Sequence, residues 1–158
     1  MKSRTRARSI ALQVLYEVDL TGHPPGVALR YRLEEDPLDN PRLETFARHL
    51  IFSVLPLRAH LDRHIARYAP EWPVEQLSPI DRNILRLALW EMALAEDTPL
   101  KVAINEAVEL AKRYGSDSSP RFVNGVLGSL ARHINDIRQA LRAAQPQPVH
   151  ETDSPPPD

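Results

Sequence analysis

The chain has 158 residues, a length suited to one domain or two small subdomains, and 42% of them are hydrophobic, enough for a buried core. Twenty Lys and Arg against 21 Asp and Glu leave a formal net charge of −1, which excludes a general polyanion binder and requires any nucleic-acid site to be a local patch. The lack of cysteine excludes disulfides, thiolate metal sites and a Cys nucleophile. No apolar run approaches the roughly 18 residues of a membrane span. Gln13 and Glu17 interrupt the stretch after the basic start too soon for a secretory signal, so the expected location is the cytoplasm. Leu (21) and Ala (17) outnumber Val (10) and Ile (8), a balance that favours helix over sheet.

In chain order, Ala7, Ile10, Ala11, Val14, Leu15 and Val18 mark a first helix over about 3–20, stopped by Thr21-Gly-His-Pro-Pro25. A shorter helix is predicted at about 26–35. The segment 41–68 carries Leu43, Phe46, Leu50, Val54, Leu57, Leu61, Ile65 and Tyr68 at helical spacing, with Pro56 expected to kink or divide it. Residues 69–79 read as a linker and the boundary between two halves, about 1–68 and 74–144. Ser78-Pro79-Ile80-Asp81 is a helix start with Ser as N-cap and Pro first, and that helix runs to about Asp97. Thr98-Pro99 opens the next, ending at Lys112, Arg113 and Gly115. Ser119-Pro120 opens the last, whose apolar period runs unbroken to Leu141. Gly125 and Gly128 within it suggest close helix approach. From Gln145 to the end the chain is Pro-rich and reads as a disordered tail, whose deletion should alter neither stability nor binding. The fold class is all-α, a bundle of six to seven helices.

Three features could carry function. Lys2, Arg4, Arg6 and Arg8 give the first 16 residues a charge of +4. Cations at a helix N-terminus oppose the macrodipole, which makes sense if a polyanion binds there; the alternative is a solvated, frayed end. Tyr16, Tyr68 and Phe122 could stack on unpaired bases or belong to the core. The run from Lys101 to Gly115, followed by Arg121-Phe-Val-Asn-Gly-Val-Leu127, shows apolar stripes and no catalytic geometry. His60 and His64 stand at metal-binding spacing, but Leu61 breaks the His-Glu-x-x-His pattern. Glu91 lies on the apolar stripe Ile84, Leu87, Leu94 and is better read as a buried carboxylate paired with an Arg or a helix cap than as a general base. No metal, cofactor or catalytic residue is expected.

The residues Arg6-x-Arg8-x4-Gln13-x-Leu15-Tyr16, Asp81-Arg-x-Ile84-Leu-Arg-Leu-Ala-Leu-Trp-Glu91, Thr98-Pro-x-Lys-Val-Ala-Ile-Asn-Glu-Ala-Val-Glu-Leu-Ala-Lys112 and Phe122-Val-Asn-Gly-Val-Leu127 recur in order over about 125 residues. In these blocks the chain resembles the NusB family of bacterial transcription antitermination factors; residues 21–79 match poorly. The resemblance implies two three-helix halves, no enzymatic activity, and binding of single-stranded boxA RNA from ribosomal transcripts together with NusE, a small-subunit ribosomal protein, in an antitermination complex on RNA polymerase. It implies RNA contacts at Lys2, Arg4, Arg6, Arg8 and Tyr16 and in the stretch with Ser118, Arg121, Phe122 and Asn124, beside which Tyr68 and Lys112 are further RNA-binding candidates, and it implies NusE contacts at Glu75, Ile80, Asp81, Ile84 and Arg86. Where many members carry an acid, this chain has Ser118, which should make RNA binding less dependent on the partner. The alternatives are an RNA-binding module serving a ribosomal-RNA methyltransferase, and a homodimer that covers the RNA surface.

Overall fold

The computed structural model describes residues 3–71 and 73–146. Among them are seven α-helices: α1 (Ser3–Thr21), α2 (Pro25–Glu35), α3 (Pro41–Tyr68), α4 (Pro79–Leu94), α5 (Leu100–Tyr114), α6 (Ser119–Ala131) and α7 (Ile134–Ala144), with a 3-10 turn at Val74–Gln76. No strand occurs among the described residues. The tail expected to be disordered lies outside them from residue 147 on, as does Lys2.

Two helices form the centre. Eight residues of α1 between Ala7 and Leu15 are buried, and α4 is buried without interruption from Asn83 to Ala93. A helix surrounded on all sides needs apolar or internally paired residues all round, as α4 has, whereas α1 keeps Thr5, Arg6, Gln13 and Glu17 half-buried along one side. The two run antiparallel: Arg4 meets Asp97, Arg8 meets Glu91, and Asp19 meets Arg82. Around them α2 packs on α1, α3 on both, and α5, α6 and α7 on α4. The buried apolar residues of all seven helices form one continuous core.

The starts follow the chemistry of their caps. Asn40 Oδ1 accepts from the Leu43 N–H at 3.2 Å ahead of Pro41, and Ser78 Oγ accepts from the Asp81 N–H at 3.2 Å ahead of Pro79; both satisfy an orphan amide of the first turn. Elsewhere the expected boundaries are corrected. Pro56 does not divide α3, which is continuous from Pro41 to Tyr68. The carbonyl that loses its helical donor belongs to Phe52, itself 43% exposed, so water can replace the missing bond. The last helix is instead two. At Arg132–His133 the His133 N–H bonds the Leu130 carbonyl at 3.0 Å, a tight i−3 turn, and the His133 ring stacks on Tyr68 with centroids 4.2 Å apart. The apolar period stays in phase across this corner, burying Leu130 on one side and Ile137 on the other, so periodicity alone could not reveal it. Arg138 on α7 donates to the Ala93 carbonyl at the end of α4 at 2.9 Å. Gly125 and Gly128 make no close approach, since a Cβ at either would meet nothing within 4 Å. The tight place is Gly115, where a Cβ would lie 2.5 Å from Ser119 Cβ.

Candidate nucleic-acid interface

The expected site residues fall at two ends of the bundle. Arg4, Arg6 and Arg8 stand at the beginning of α1. Ser118, Arg121, Phe122 and Asn124 stand at the beginning of α6, beside the beginning of α4. Because α1 and α4 are antiparallel, the two groups lie toward opposite ends of the central pair; the 15 residues from Arg4 to Asp19 alone span about 22 Å of helix.

At the first end Arg4, Arg6 and Arg8 each already have carboxylates. Arg4 Nη2 is 3.2 Å from Asp97 and its guanidinium lies over the Phe46 ring at 4.7 Å. Arg6 donates to Asp36 at 2.6 Å and to the Pro37 carbonyl at 2.9 Å, with Asp39 at 3.5 Å. Arg8 is a correction to the expected RNA set. It is 3% exposed and grips Glu91 through two bonds of 2.8 and 2.9 Å, with Glu106 at 3.8 Å from its third nitrogen. A two-pronged guanidinium–carboxylate pair of this kind is among the strongest polar contacts a protein makes, and it ties α1 to α4. The buried carboxylate read at Glu91 therefore has its Arg, and that Arg is not available to a ligand.

At the other end of α1, Asp19 accepts from Arg82 at 2.9 and 2.6 Å and from Asn83 at 2.9 Å, with Arg86 at 3.5 Å. Burial pushes the Asp19 carboxyl up, but the hydrogen bonds from Arg82 and Asn83 and the charges of Arg86 and Arg82 outweigh it and hold it below its ordinary value. Arg86 also binds Asp62 of α3 at 2.7 and 2.6 Å. Arg86 is 8% exposed and Ile84 is 0% exposed, so the expectation that these two face a protein partner is corrected: Ile84 is core, and Arg86 cross-links α1, α3 and α4. Sequence reading missed this network because its members lie between 24 and 67 residues apart.

The remaining expected residues gather. A cavity of about 300 Å³ is lined by Tyr68, Glu71, Arg121, Phe122 and Gly125 among others. A second, of about 430 Å³, is lined by Leu77, Ser78, Asp81, Ser118, Arg121 and Phe122. Arg121 and Phe122 line both, so residues expected to touch RNA and Asp81, expected to touch a protein partner, share one concave surface. Ile80 is half-buried on the same turn of α4, and Glu75 belongs to the 3-10 turn before it. Ser118 and Asn124 are exposed. Tyr16 is half-buried and lines neither cavity. Lys112 is exposed and pairs with Glu109 at 3.1 Å. Two aromatic rings, an exposed guanidinium and small polar groups on a concave surface suit stacking of unpaired bases and binding of phosphate. Among the described residues no helix is long and apolar enough to cross a membrane.

Comparison with known proteins sharpens the picture. The model of the NusB family matches residues 5–132. The transcription antitermination protein NusB of Roseiflexus castenholzii is 55% identical over 135 residues, covering 84% of this chain and 94% of that protein. The one from Bacillus pumilus is 40% identical over 139 residues, 88% and 99% of the two chains. Among solved structures, NusB of T. maritima is similar with a TM-score of 0.76 at 33% identity, covering 83% and 92% of the two chains. A structure of the antitermination factors NusB and NusE in complex with double-stranded RNA contains a chain similar with a TM-score of 0.77 at 28% identity, covering 84% and 98%.

Proposed function

The chain belongs to the NusB family, and on that premise we propose that it is a transcription antitermination factor acting in the cytoplasm. In this reading it binds the boxA element of nascent ribosomal-RNA transcripts together with NusE and helps assemble an antitermination complex on RNA polymerase. It works by binding alone, with no catalytic step. The observation that carries the reading is the likeness in fold, over nearly the whole of that chain, to the complex of NusB and NusE with RNA.

The site's geometry supports it. Tyr68 and Phe122 offer aromatic surface, Arg121 a guanidinium and Ser118 a hydroxyl around two adjoining hollows, and Asn124 is exposed on the same helix as Arg121 and Phe122. Arg4 and Arg6 join the RNA surface by exchanging exposed carboxylates for phosphates. Arg4 and its partner Asp97 are 51% and 66% exposed, and a pair this wet is worth at most about 1 kcal/mol, so that exchange costs little; Arg6, 26% exposed and bound also to the Pro37 carbonyl, gives up more. NusE docks at Glu75, Ile80 and Asp81, adjoining the same hollows, and thereby adds a second RNA-contacting surface next to the first. A near-neutral protein with few free cations binds RNA weakly alone; a tethered second surface raises the affinity through effective concentration.

Fluorescence anisotropy with a boxA-containing leader fragment and a scrambled control, with and without NusE, tests this reading. Selective binding that NusE strengthens, and that Arg121→Ala abolishes, is the expected result. Equal affinity for both RNAs, or no gain from NusE, contradicts it.

A further inference from the structure

His60, Arg63, His64 and Arg67 stand at positions i, i+3, i+4 and i+7 of α3, the spacing that puts four side chains on one helical face. The apolar residues of the same stretch, Leu57, Leu61 and Ile65, are buried on the adjoining side of the helix. Arg63 and Arg67 are exposed, and His60 and His64 are half-buried beside them. The acid within the stretch, Asp62, is turned away to Arg86 of α4 at 2.6 Å. Among the described residues no carboxylate lies within ion-pair distance of Arg63 or Arg67. Arg63 reaches the His60 ring, and the Arg67 guanidinium lies 5.4 Å from the centre of the Tyr68 ring.

The crowding of cations registers on His64, whose pKa is held below its ordinary value by burial first and then by Arg67, Arg63 and His60. A helix C-terminus favours a cation in its last turn, which accounts for Arg67 but not for the three residues before that turn. The stripe is also continuous with the site already described. Arg67 is followed by Tyr68, which lines the hollow with Arg121 and Phe122.

We propose that the His60–Arg63–His64–Arg67 face of α3 binds the backbone phosphates of an RNA strand where it leaves the Tyr68–Arg121–Phe122 hollow, extending the RNA track along α3. This inference rests on the RNA-binding reading above. Guanidiniums without a carboxylate suit phosphate oxygens, which they bind bidentately, and the adjoining aromatic hollow suits the bases of the same strand. The stripe reads no sequence; it adds affinity and salt dependence.

The full-length chain, its Arg63→Ala/Arg67→Ala variant and its Arg63→Lys/Arg67→Lys variant are titrated into two labelled single-stranded RNAs, a short boxA probe and the same probe extended at both ends. Thermal melting checks that all three fold alike. The extended probe binds the Ala variant roughly 25-fold more weakly than wild type at 0.1 M salt, and the slope of log K against log salt flattens by about 1.4, the counterion contribution of two phosphates on a single strand. The short probe is unaffected, and the Lys variant retains most of the affinity. If wild type binds both probes equally and the Ala variant changes neither slope nor affinity, the stripe proposal is overturned while RNA binding at the hollow stands. If the Ala variant binds RNA as wild type does but loses an acidic protein partner instead, the stripe is a protein-docking surface and the proposal is equally overturned. If wild type binds neither probe, the RNA-binding reading and this extension fall together.

Discussion

The arginines at the start of α1 and those near the end of α3 are alike in composition and opposite in circumstance. Arg4, Arg6 and Arg8 each have a carboxylate from elsewhere in the chain, and Arg8 is fully enclosed with Glu91. Arg63 and Arg67 lie on a face whose one acid, Asp62, is committed to α4. A cation already paired releases fewer counterions when it meets phosphate, so a basic stretch in the sequence is a poor measure of free positive surface. What counts is which cations the fold leaves without a carboxylate.

The largest effect expected from this contrast is on stability. Arg8→Ala strands Glu91 in the core and should cost about 3–5 kcal/mol, a fall on the order of 10 °C in Tm for a chain of this size, whereas Arg63→Ala should leave the melting curve where it is. Replacing both partners together, Arg8→Met with Glu91→Leu, should recover most of the loss; calorimetry on the three variants decides. Next in size is the roughly 25-fold loss of affinity for extended RNA on replacing Arg63 and Arg67.

Asp19 tests the other end of the central pair. Its folded pKa is depressed, so its contribution to stability is present above the ordinary carboxylate value and is lost as pH falls through the lower folded one. Asp19→Asn should therefore be less stable than wild type at neutral pH, by about 1–2 kcal/mol, and the two urea-denaturation curves should converge in acid. A gap that stayed constant with pH would show that the Asp19 charge is not what holds Arg82 and Asn83. Smallest is Arg4→Ala, which breaks an exposed pair and should change stability by less than about 1 kcal/mol. A larger loss on melting would place Arg4 among the structural arginines with Arg8.

Much of the fold was legible because local chemistry and packing agreed: Ser78-Pro79 does cap α4, and the outer helices α3 and α5 show clean apolar stripes where one side faces water. What stayed hidden was non-local. Nothing near Arg8 tells that Glu91, 83 residues away, takes its charge. Arg8 does lie on the apolar side of α1 with Ala11, Leu12 and Leu15, but that position alone names no partner. Ile84 satisfies both a core stripe and a partner surface until packing decides between them. The corner at Arg132–His133 leaves the apolar period in phase and carries no proline, while Pro56, the residue that usually breaks a helix, sits where solvent can absorb the missing bond. The spacing of His60 and His64 was visible in the sequence, but the stripe they form with Arg63 and Arg67 has meaning only because Asp62 turns away.

The most direct test of the contrast is a salt titration of extended boxA RNA against two double variants, Arg4→Ala/Arg6→Ala and Arg63→Ala/Arg67→Ala. Removing the α3 pair should flatten the salt slope by about 1.4, and removing the α1 pair, whose charges are already met by Asp97, Asp36 and Asp39, should flatten it by clearly less. A larger loss from the α1 pair, with the α3 variant indistinguishable from wild type, would contradict that contrast.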